Sequence, residues 1–311
     1  MRWLFVGNFE PSHSTENHLA STLEGMGHVV IRRQEVGSQA VTAEQVAACL
    51  HLADVLLWTR TPPGIRGDAF GMLATARRMG VPSVVVHLDL FAGLPRAAEV
   101  AHDAWWTSDL VCTADGGSDE FWAEHGVNHR WLPPAVFEPE AYMAERDGDY
   151  WHDVVFTGQK AYHPAWPYRP QLIDWLSWNY GNRFRRFPMP GEHAVRGAAL
   201  NRLYAHTKVV VGDSLCLGFT HQKYWSDRVP EATGRGAFLI MPRIVGLEDL
   251  YVEDKEMVFY TFGDFDEMKR KIDYYLEHDE EREAIRRAGH AATLRHSTYR
   301  HRMETLIEWL P

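Results

Sequence analysis

Short apolar runs alternate with amphipathic stretches along most of the chain. In the first half, largely apolar runs predict six strands, at 3–6, 28–31, 55–58, 83–87, 109–113 and 129–132. Apolar positions at helical spacing predict the intervening helices, at 19–26, 46–52, 69–79, 97–105 and 115–124. Because the strands are apolar throughout and alternate with helices, we expect a parallel sheet covered on both faces.

The same alternation restarts after a polar stretch at 139–151. It predicts strands at 154–158, 184–187, 208–212 and 237–240, and helices at 168–180, 197–205, 228–234, 264–278, 280–294 and 298–309. The prediction is therefore an α/β chain with two doubly wound, Rossmann-like domains that face each other across a cleft. We expect the first domain at 1–140, the second at 151–295, and a C-terminal helix at 296–311 that packs back on the first.

Charge separates the two halves. The chain has 311 residues, with 32 Lys and Arg against 42 Asp and Glu, and a net charge of −10. The whole excess lies in residues 1–150, which hold 10 Arg, no Lys and 20 acidic residues, whereas the remainder is balanced. A broad nucleic-acid surface is disfavoured, because phosphate binding needs concentrated positive charge.

The spacing of the cysteines and the first residues of the sequence indicate the cellular compartment that we expect. Cys49, Cys112 and Cys216 are far apart and odd in number, which supports neither a disulfide framework nor a zinc site. The start of the sequence lacks the features of a signal peptide, and no apolar stretch approaches 18 residues. We therefore expect a cytoplasmic protein without a membrane span.

The loop after the first strand, 7–17, is rich in groups that exchange protons and hydrogen bonds. It lacks G-x-G-x-x-G, which argues against an NAD dehydrogenase. Helix capping accounts for its serines and threonine, with Ser14 or Thr15 as the cap. Capping accounts less well for His13 and Glu16, which we predict to contact an acceptor hydroxyl as a base or an orienting group.

Two more candidates follow the fourth strand. His87 ends that strand and Asp89 follows it, at the carboxyl edge where ligands bind in doubly wound sheets. A satisfied core histidine is the alternative interpretation of His87. We take both residues as candidate catalytic groups.

The second half places polar residues after its own strands. Gly158 and Lys160 follow the first strand, so that a lysine lies where a negative ligand would bind, although a surface lysine is the simpler alternative. Asp213 and Ser214 follow the strand at 208–212. All four are predicted to contact a ligand of this domain.

The most informative segment is 224–240. A helix begins there beside Tyr224, Ser226 and Arg228, ends at glycine and leads into a buried strand. Arg228 at the start of this helix suits a phosphate, and Glu231, one turn later, is placed to accept hydrogen bonds from ribose or sugar hydroxyls. The alternative is a structural glutamate that complements the helix dipole.

This segment resembles the C-terminal half of glycosyltransferases of the GT-B fold. The resemblance rests on the run 228–236, on 238–240 and 246–248, on a loop around Tyr260 and on 268–276. The stretches 280–285, 288–289 and 296–302 are similar to the CgeB-like, "glycosyl transferases group 1" subset. The specific match covers roughly residues 205–305, whereas the first half matches only in strand order and loop position.

The resemblance implies a nucleotide-diphosphate sugar as the donor, in particular a UDP-sugar, held by the second domain, with the acceptor on the first. It implies that Glu231 binds ribose or sugar hydroxyls, that Lys160 and Arg228 neutralise the diphosphate, and that His87 lies near the sugar. Neither a metal ion nor another cofactor is expected. GT-B enzymes, which the sequence resembles, generally need no metal to balance the diphosphate.

Other functions stay open at this point. The acceptor is unknown and is a small molecule, a glycan, a protein or modified DNA. A phage-type DNA glycosyltransferase acting on hydroxymethylated bases is one alternative. It would draw on the basic stretch 183–186, on the arginines at 60, 66, 77 and 78, and on the tryptophans at 58, 105 and 106. A non-catalytic nucleotide-sugar binding protein or an NDP-sugar epimerase is another, because a fold does not guarantee an activity.

Overall fold

The computed structural model describes residues 1–161 and 163–310, and these form two compact α/β units. One unit comprises Met1–Pro133 and the C-terminal segment that begins at Tyr299, and the other comprises Pro134–Thr298. The boundary therefore lies before residue 140. The reason is local pairing, since the Val136 amide donates to the Ser297 carbonyl over 2.9 Å and Asn201 donates to the Glu140 carbonyl over 2.8 Å.

The first unit is built on a parallel sheet of six strands in the order β2-β1-β3-β4-β5-β6. The strands are β1 Arg2–Gly7, β2 Val29–Gln34, β3 Val55–Trp58, β4 Ser83–His87, β5 Leu110–Thr113 and β6 His129–Trp131. Its helices are α1 Thr15–Gly25, α2 Ala43–Ala47, α3 Ala69–Arg78, α4 Asp119–Glu124 and α10 Tyr299–Glu308. The six predicted strands are confirmed, and α10 packs on α1.

The helix predicted at 97–105 is wrong. Two short 3₁₀ segments, Pro95–Ala101 and Ala104–Thr107, stand in its place. Trp105 and Trp106 are both buried in an aromatic cluster with Phe91, which lies outside this segment. The break falls at Asp103, whose carboxylate lies 2.8 Å from the Arg60 guanidinium.

The second unit is built on a parallel sheet of five strands in the order β11-β10-β9-β7-β8. The strands are β7 His152–Thr157, β8 Phe184–Phe187, β9 Thr207–Val211, β10 Leu239–Pro242 and β11 Val258–Tyr260. Its helices are α5 Tyr168–Tyr180, α6 Gly197–Ala205, α7 Arg228–Gly234, α8 Phe265–Glu277 and α9 Asp279–His296. β11 is absent from the strands predicted from the sequence and lies at the edge of this sheet.

The strand orders decide where each unit can bind a ligand. In both sheets the second strand lies outside the first, and the third strand lies on the first strand's other side. The chain therefore leaves in opposite directions at the carboxyl ends of β1 and β3, and of β7 and β9, where doubly wound sheets bind ligands. The predicted fold class, two parallel sheets with helices, is confirmed.

Among the helices formed by residues 1–161 and 163–310, none is long and apolar enough to cross a membrane.

Candidate functional site

A cavity of about 110 Å³ lies in the second unit at the carboxyl ends of β7 and β8. Helices α6 and α7 and the segment that joins β8 to α6 complete its walls. Its lining residues are Thr157, Gly158, Gln159, Phe187, Pro188, Ala194, Val195, Arg196, Leu200, Tyr204, Asp227, Arg228 and Glu231. Of the residues predicted to bind the donor, it brings together Gly158, Arg228 and Glu231.

Gly158 makes room for the Arg228 guanidinium. A Cβ atom at position 158 would lie 3.0 Å from Arg228 Nε and 3.1 Å from its Cζ. The φ angle of Gly158 is +146°, a conformation that L side chains rarely adopt. Glycine at the end of β7 therefore lets a guanidinium lie against the backbone of the cavity wall.

Glu231 lies one turn after Arg228 on α7 and is half-buried. Its Oε2 atom is 3.9 Å from the guanidinium of Arg196. Burial, reinforced by the negative charge of Asp227, raises the pKa of Glu231 to about 7, against the opposing effect of nearby arginines. Its carboxyl group therefore titrates near neutral pH while facing a polar cavity.

Two lining residues, Tyr204 and Arg196, were missed by the sequence analysis. The Tyr204 hydroxyl shares a 2.9 Å hydrogen bond with Thr157, and burial raises the pKa of this phenol to about 12. Arg196 ends the segment between β8 and α6. The strand-end rule that selected Gly158 would have found this segment if it had also been applied to the predicted strand at 184–187.

Lys160 is placed outside the cavity lining. Its ammonium group forms an ion pair with Asp174 on α5, with 43% of the lysine side chain and 64% of the aspartate side chain exposed. It contributes instead to a separate depression beside β8, together with residues such as Trp151 and Arg185. The structure therefore does not bring Lys160 together with Arg228 and Glu231.

Asp213 and Ser214 are buried rather than exposed to a ligand. The Asp213 carboxylate accepts a 2.8 Å hydrogen bond from Arg169 Nε and a 2.9 Å hydrogen bond from Trp166 Nε1, and the ion pair with Arg169 has no exposed side-chain surface. Ser214 is fully buried beside it. Asp213 therefore serves to fix α5 against the end of β9, which the sequence pattern did not reveal.

Tyr224 and Ser226 precede α7 but are absent from the residues that line the cavity. Tyr224 is buried, and Ser226 is half-buried with its backbone carbonyl accepting a 3.1 Å hydrogen bond from the Val229 amide. They support the start of the helix that carries Arg228 and Glu231.

The first unit brings His87 and Asp89 together at the end of β4. His87 Nε2 lies 3.9 Å from Asp89 Oδ2, and the imidazole is edge-on to Phe91 and Trp105, with ring centroids 5.0 and 5.1 Å away. Burial lowers the pKa of His87 to about 4. The imidazole is therefore neutral at pH 7 and offers a hydrogen bond rather than a charge.

Glu16 and His13 lie near the end of β1. Glu16 is half-buried, with its Oε1 atom 3.5 Å from Thr61 Oγ1, whereas His13 is exposed. The predicted cap is confirmed, because the Asn17 amide donates to Ser14 Oγ over 3.2 Å. Thus Glu16 lies at the carboxyl edge of the sheet, as the sequence pattern predicted.

Glu35 is a buried carboxyl group that the sequence analysis missed. It follows β2 and accepts hydrogen bonds from Trp58 Nε1 at 2.8 Å and from the Thr61 amide at 2.6 Å. Burial raises its pKa to about 7. No local pattern marked it, because its partners come from the end of β3 and from the loop after it.

The cavity of the second unit has the groups needed to bind an anionic, hydroxyl-rich ligand. Among the described residues that line it, the basic ones are Arg196 and Arg228, and the acidic ones are Asp227 and Glu231. Guanidinium groups match phosphate geometry, and a carboxylate accepts two hydrogen bonds from a vicinal diol. A nucleoside phosphate has both features.

Comparison with known families gives a match over the second half. Residues 153–308 match the model of a family described as glycosyl transferase-like. No curated protein sequence matches the chain significantly. The matched stretch contains every lining residue of the cavity.

Solved structures match over nearly the whole length. A glycosyltransferase from Rickettsia africae ESF-5 is 10% identical, with a TM-score of 0.67 over 99% of this chain and 97% of that one. Anabaena Alr3699/HepE, solved with UDP and glucose, is 14% identical, with a TM-score of 0.65 over 99% and 98%. An alpha-glucosyltransferase, solved with UDP-glucose and DNA containing an abasic site, is 10% identical, with a TM-score of 0.70 over 99% and 98%.

These structures share the GT-B fold with this chain, which confirms the two-domain α/β prediction. The CgeB-like subset stays a prediction.

Proposed function

Because this chain belongs to the glycosyl transferase-like family, we propose that it transfers the sugar of a UDP-sugar to a hydroxyl acceptor. The observation that carries the proposal is the cavity at the end of β7, where Arg228 and Glu231 lie one helical turn apart. The UDP and UDP-glucose bound to proteins of the same fold support uridine diphosphate as the leaving group.

In this proposal each side chain has one task. The ionised Glu231 carboxylate accepts hydrogen bonds from the ribose hydroxyls, and Arg228 binds the diphosphate, where negative charge grows as the bond to the sugar breaks. Cleavage leaves UDP with the electron pair of that bond, and the acceptor oxygen bonds to the sugar carbon as its proton passes to a nearby carboxylate or to water. His87, Asp89, Glu16 and His13 remain candidates for contacts to the sugar or to the acceptor hydroxyl.

The direct test is stabilisation by nucleotides. A ligand that binds only the folded chain raises its Tm, and at a hundredfold excess over Kd the gain is about 2.7 kcal/mol, or roughly 5 °C or more. We expect this shift with UDP and UDP-glucose, and a smaller one with ADP or GDP at the same concentration. Scanning calorimetry measures it, and the absence of a shift with every nucleoside diphosphate and nucleotide sugar tested would reject the proposal.

Transfer is expected to proceed without a divalent metal ion. The positive charge that balances the diphosphate comes from arginine side chains in this proposal, so chelation removes nothing that the reaction uses. UDP release in the presence of an acceptor should be unchanged by excess EDTA. Activity that EDTA abolishes and manganese restores would contradict this prediction.

The acceptor is proposed only as a hydroxyl compound. DNA is the acceptor class favoured by the solved alpha-glucosyltransferase complex. Two arginines of the basic stretch that the sequence analysis noted are, however, paired with acidic side chains, Arg183 with Asp153 at 2.6 Å and Arg185 with Glu192 at 2.7 Å. Their charge is largely neutralised within the unit, so this stretch does not favour DNA over a small molecule or a glycan.

A further inference from the structure

We propose that Arg196 is the second cation that binds the donor diphosphate, a task that the family resemblance assigned to Lys160. This inference rests on the proposed function, because it takes a UDP-sugar as the ligand of the cavity. It concerns a residue that lies outside the loops selected from the sequence.

The position of Arg196 supports this assignment. Arg196 lines the same cavity as Arg228, from the segment between β8 and α6, whereas Arg228 enters from α7. Lys160 is absent from this lining, and its ammonium group is paired with Asp174. Of the described basic residues, Arg196 and Arg228 are therefore the ones placed to reach a ligand from two sides of this cavity.

The charge of the cavity with a diphosphate bound favours a second cation. The cavity carries the carboxyl groups of Asp227 and Glu231, so one guanidinium is already offset before an anion binds. A sugar diphosphate adds two further negative charges. Arg228 alone would leave the occupied site strongly negative in a partly buried setting, which is unfavourable. A second guanidinium reduces this negative excess by one charge.

The ion pair between Arg196 and Glu231 is weak, so Arg196 is available to a ligand. Its guanidinium is 3.9 Å from Glu231, and 48% of its side chain is exposed, which is the geometry of an ion pair worth little free energy. Exchange of this contact for a phosphate therefore costs little. The planar fork of arginine binds two phosphate oxygens at once, and the exchange leaves both Glu231 oxygens to the ribose.

The test separates phosphate binding from an effect on Glu231. Uridine and UDP are titrated by calorimetry into the full-length wild-type chain, Arg196→Gln, Lys160→Gln and the control Arg185→Gln. Arg185 is 45% exposed and pairs with Glu192, and it lies outside the cavity lining, so its replacement matches that of Arg196 in kind and exposure.

We expect Arg196→Gln to weaken UDP binding by about 10-fold or more and uridine binding by less than about 3-fold, with partial recovery in Arg196→Lys. The Arg185→Gln control should bind both ligands like the wild type. Equal losses for uridine and UDP, no loss for either, or a larger UDP loss in Lys160→Gln would each overturn the assignment. A wild-type chain that binds no UDP would reject the proposed donor, and this assignment with it.

Discussion

Replacement of Glu231 by Ala is expected to weaken UDP-glucose binding by about 100-fold, because two hydrogen bonds from ribose hydroxyls to a charged group are lost. The residue faces the cavity one turn after Arg228, and its carboxyl group carries the polar contact proposed for the nucleoside. Calorimetric titration and the KM for the donor measure the loss. Glu231→Gln should lie between the wild type and Glu231→Ala, since an amide retains one acceptor oxygen.

The same residue gives donor binding a pH dependence whose sign follows from the raised pKa. With a pKa of about 7, Glu231 is mostly ionised above neutral pH and mostly protonated below it. Ribose hydroxyls donate to the ionised form, so affinity is lost as the pH falls. The Kd for UDP-glucose should rise roughly 10-fold between about pH 8 and about pH 6, and Glu231→Gln should abolish this slope.

A matched control is Glu253→Gln, which replaces a glutamate in the same unit that pairs with Arg243 and lies outside the cavity lining. It should retain both the affinity and the pH slope of the wild type. Wild-type affinity in Glu231→Ala, or an unchanged slope in Glu231→Gln, would remove Glu231 from the donor site.

The fold was largely predictable because each half repeats one local pattern. A strand buried along its whole length, such as β3, appears as a continuous apolar run, whereas β6 and β8 are partly polar. Together with the alternation of strands and helices, the pattern located ten of the eleven strands. The exception is Val258–Tyr260, a three-residue strand at the edge of the second sheet. The region around Trp105 misled the pattern for a different reason, since its apolar residues are buried by tertiary contacts rather than along one helical face.

The candidate site was predictable at Gly158, which the strand-end rule selected, and where one segment carries two of its residues. Arg228 and Glu231 lie three residues apart on one short helix, so their shared face is visible in the sequence. The partners of Lys160 and Arg196 come from other elements. Asp174 on α5 pairs with the lysine, whereas the arginine lies near Glu231 and lines the cavity. These contacts depend on residues distant in sequence, so a rule based on the ends of strands cannot predict them.

The role of Asp213 also depends on a residue distant in sequence, Arg169, and its loss is expected to change the stability of the second unit. We expect Asp213→Ala to lower the free energy of unfolding by about 4 kcal/mol, because it leaves the Arg169 charge buried without its carboxylate. The Tm of the second unit should fall by roughly 10 °C, as measured by scanning calorimetry. Below the transition, the affinity for UDP should stay close to that of the wild type, since Asp213 does not line the cavity.

The control for Asp213 is Asp174→Ala, which also removes an aspartate paired with a basic side chain. The Asp174 pair with Lys160 is exposed, so its loss should cost less than about 1 kcal/mol and leave the Tm nearly unchanged. The contrast isolates burial as the cause of the larger effect. If Asp213→Ala unfolds like the wild type but fails to bind UDP, then Asp213 contacts the donor and its ion pair with Arg169 is not what holds α5 in place.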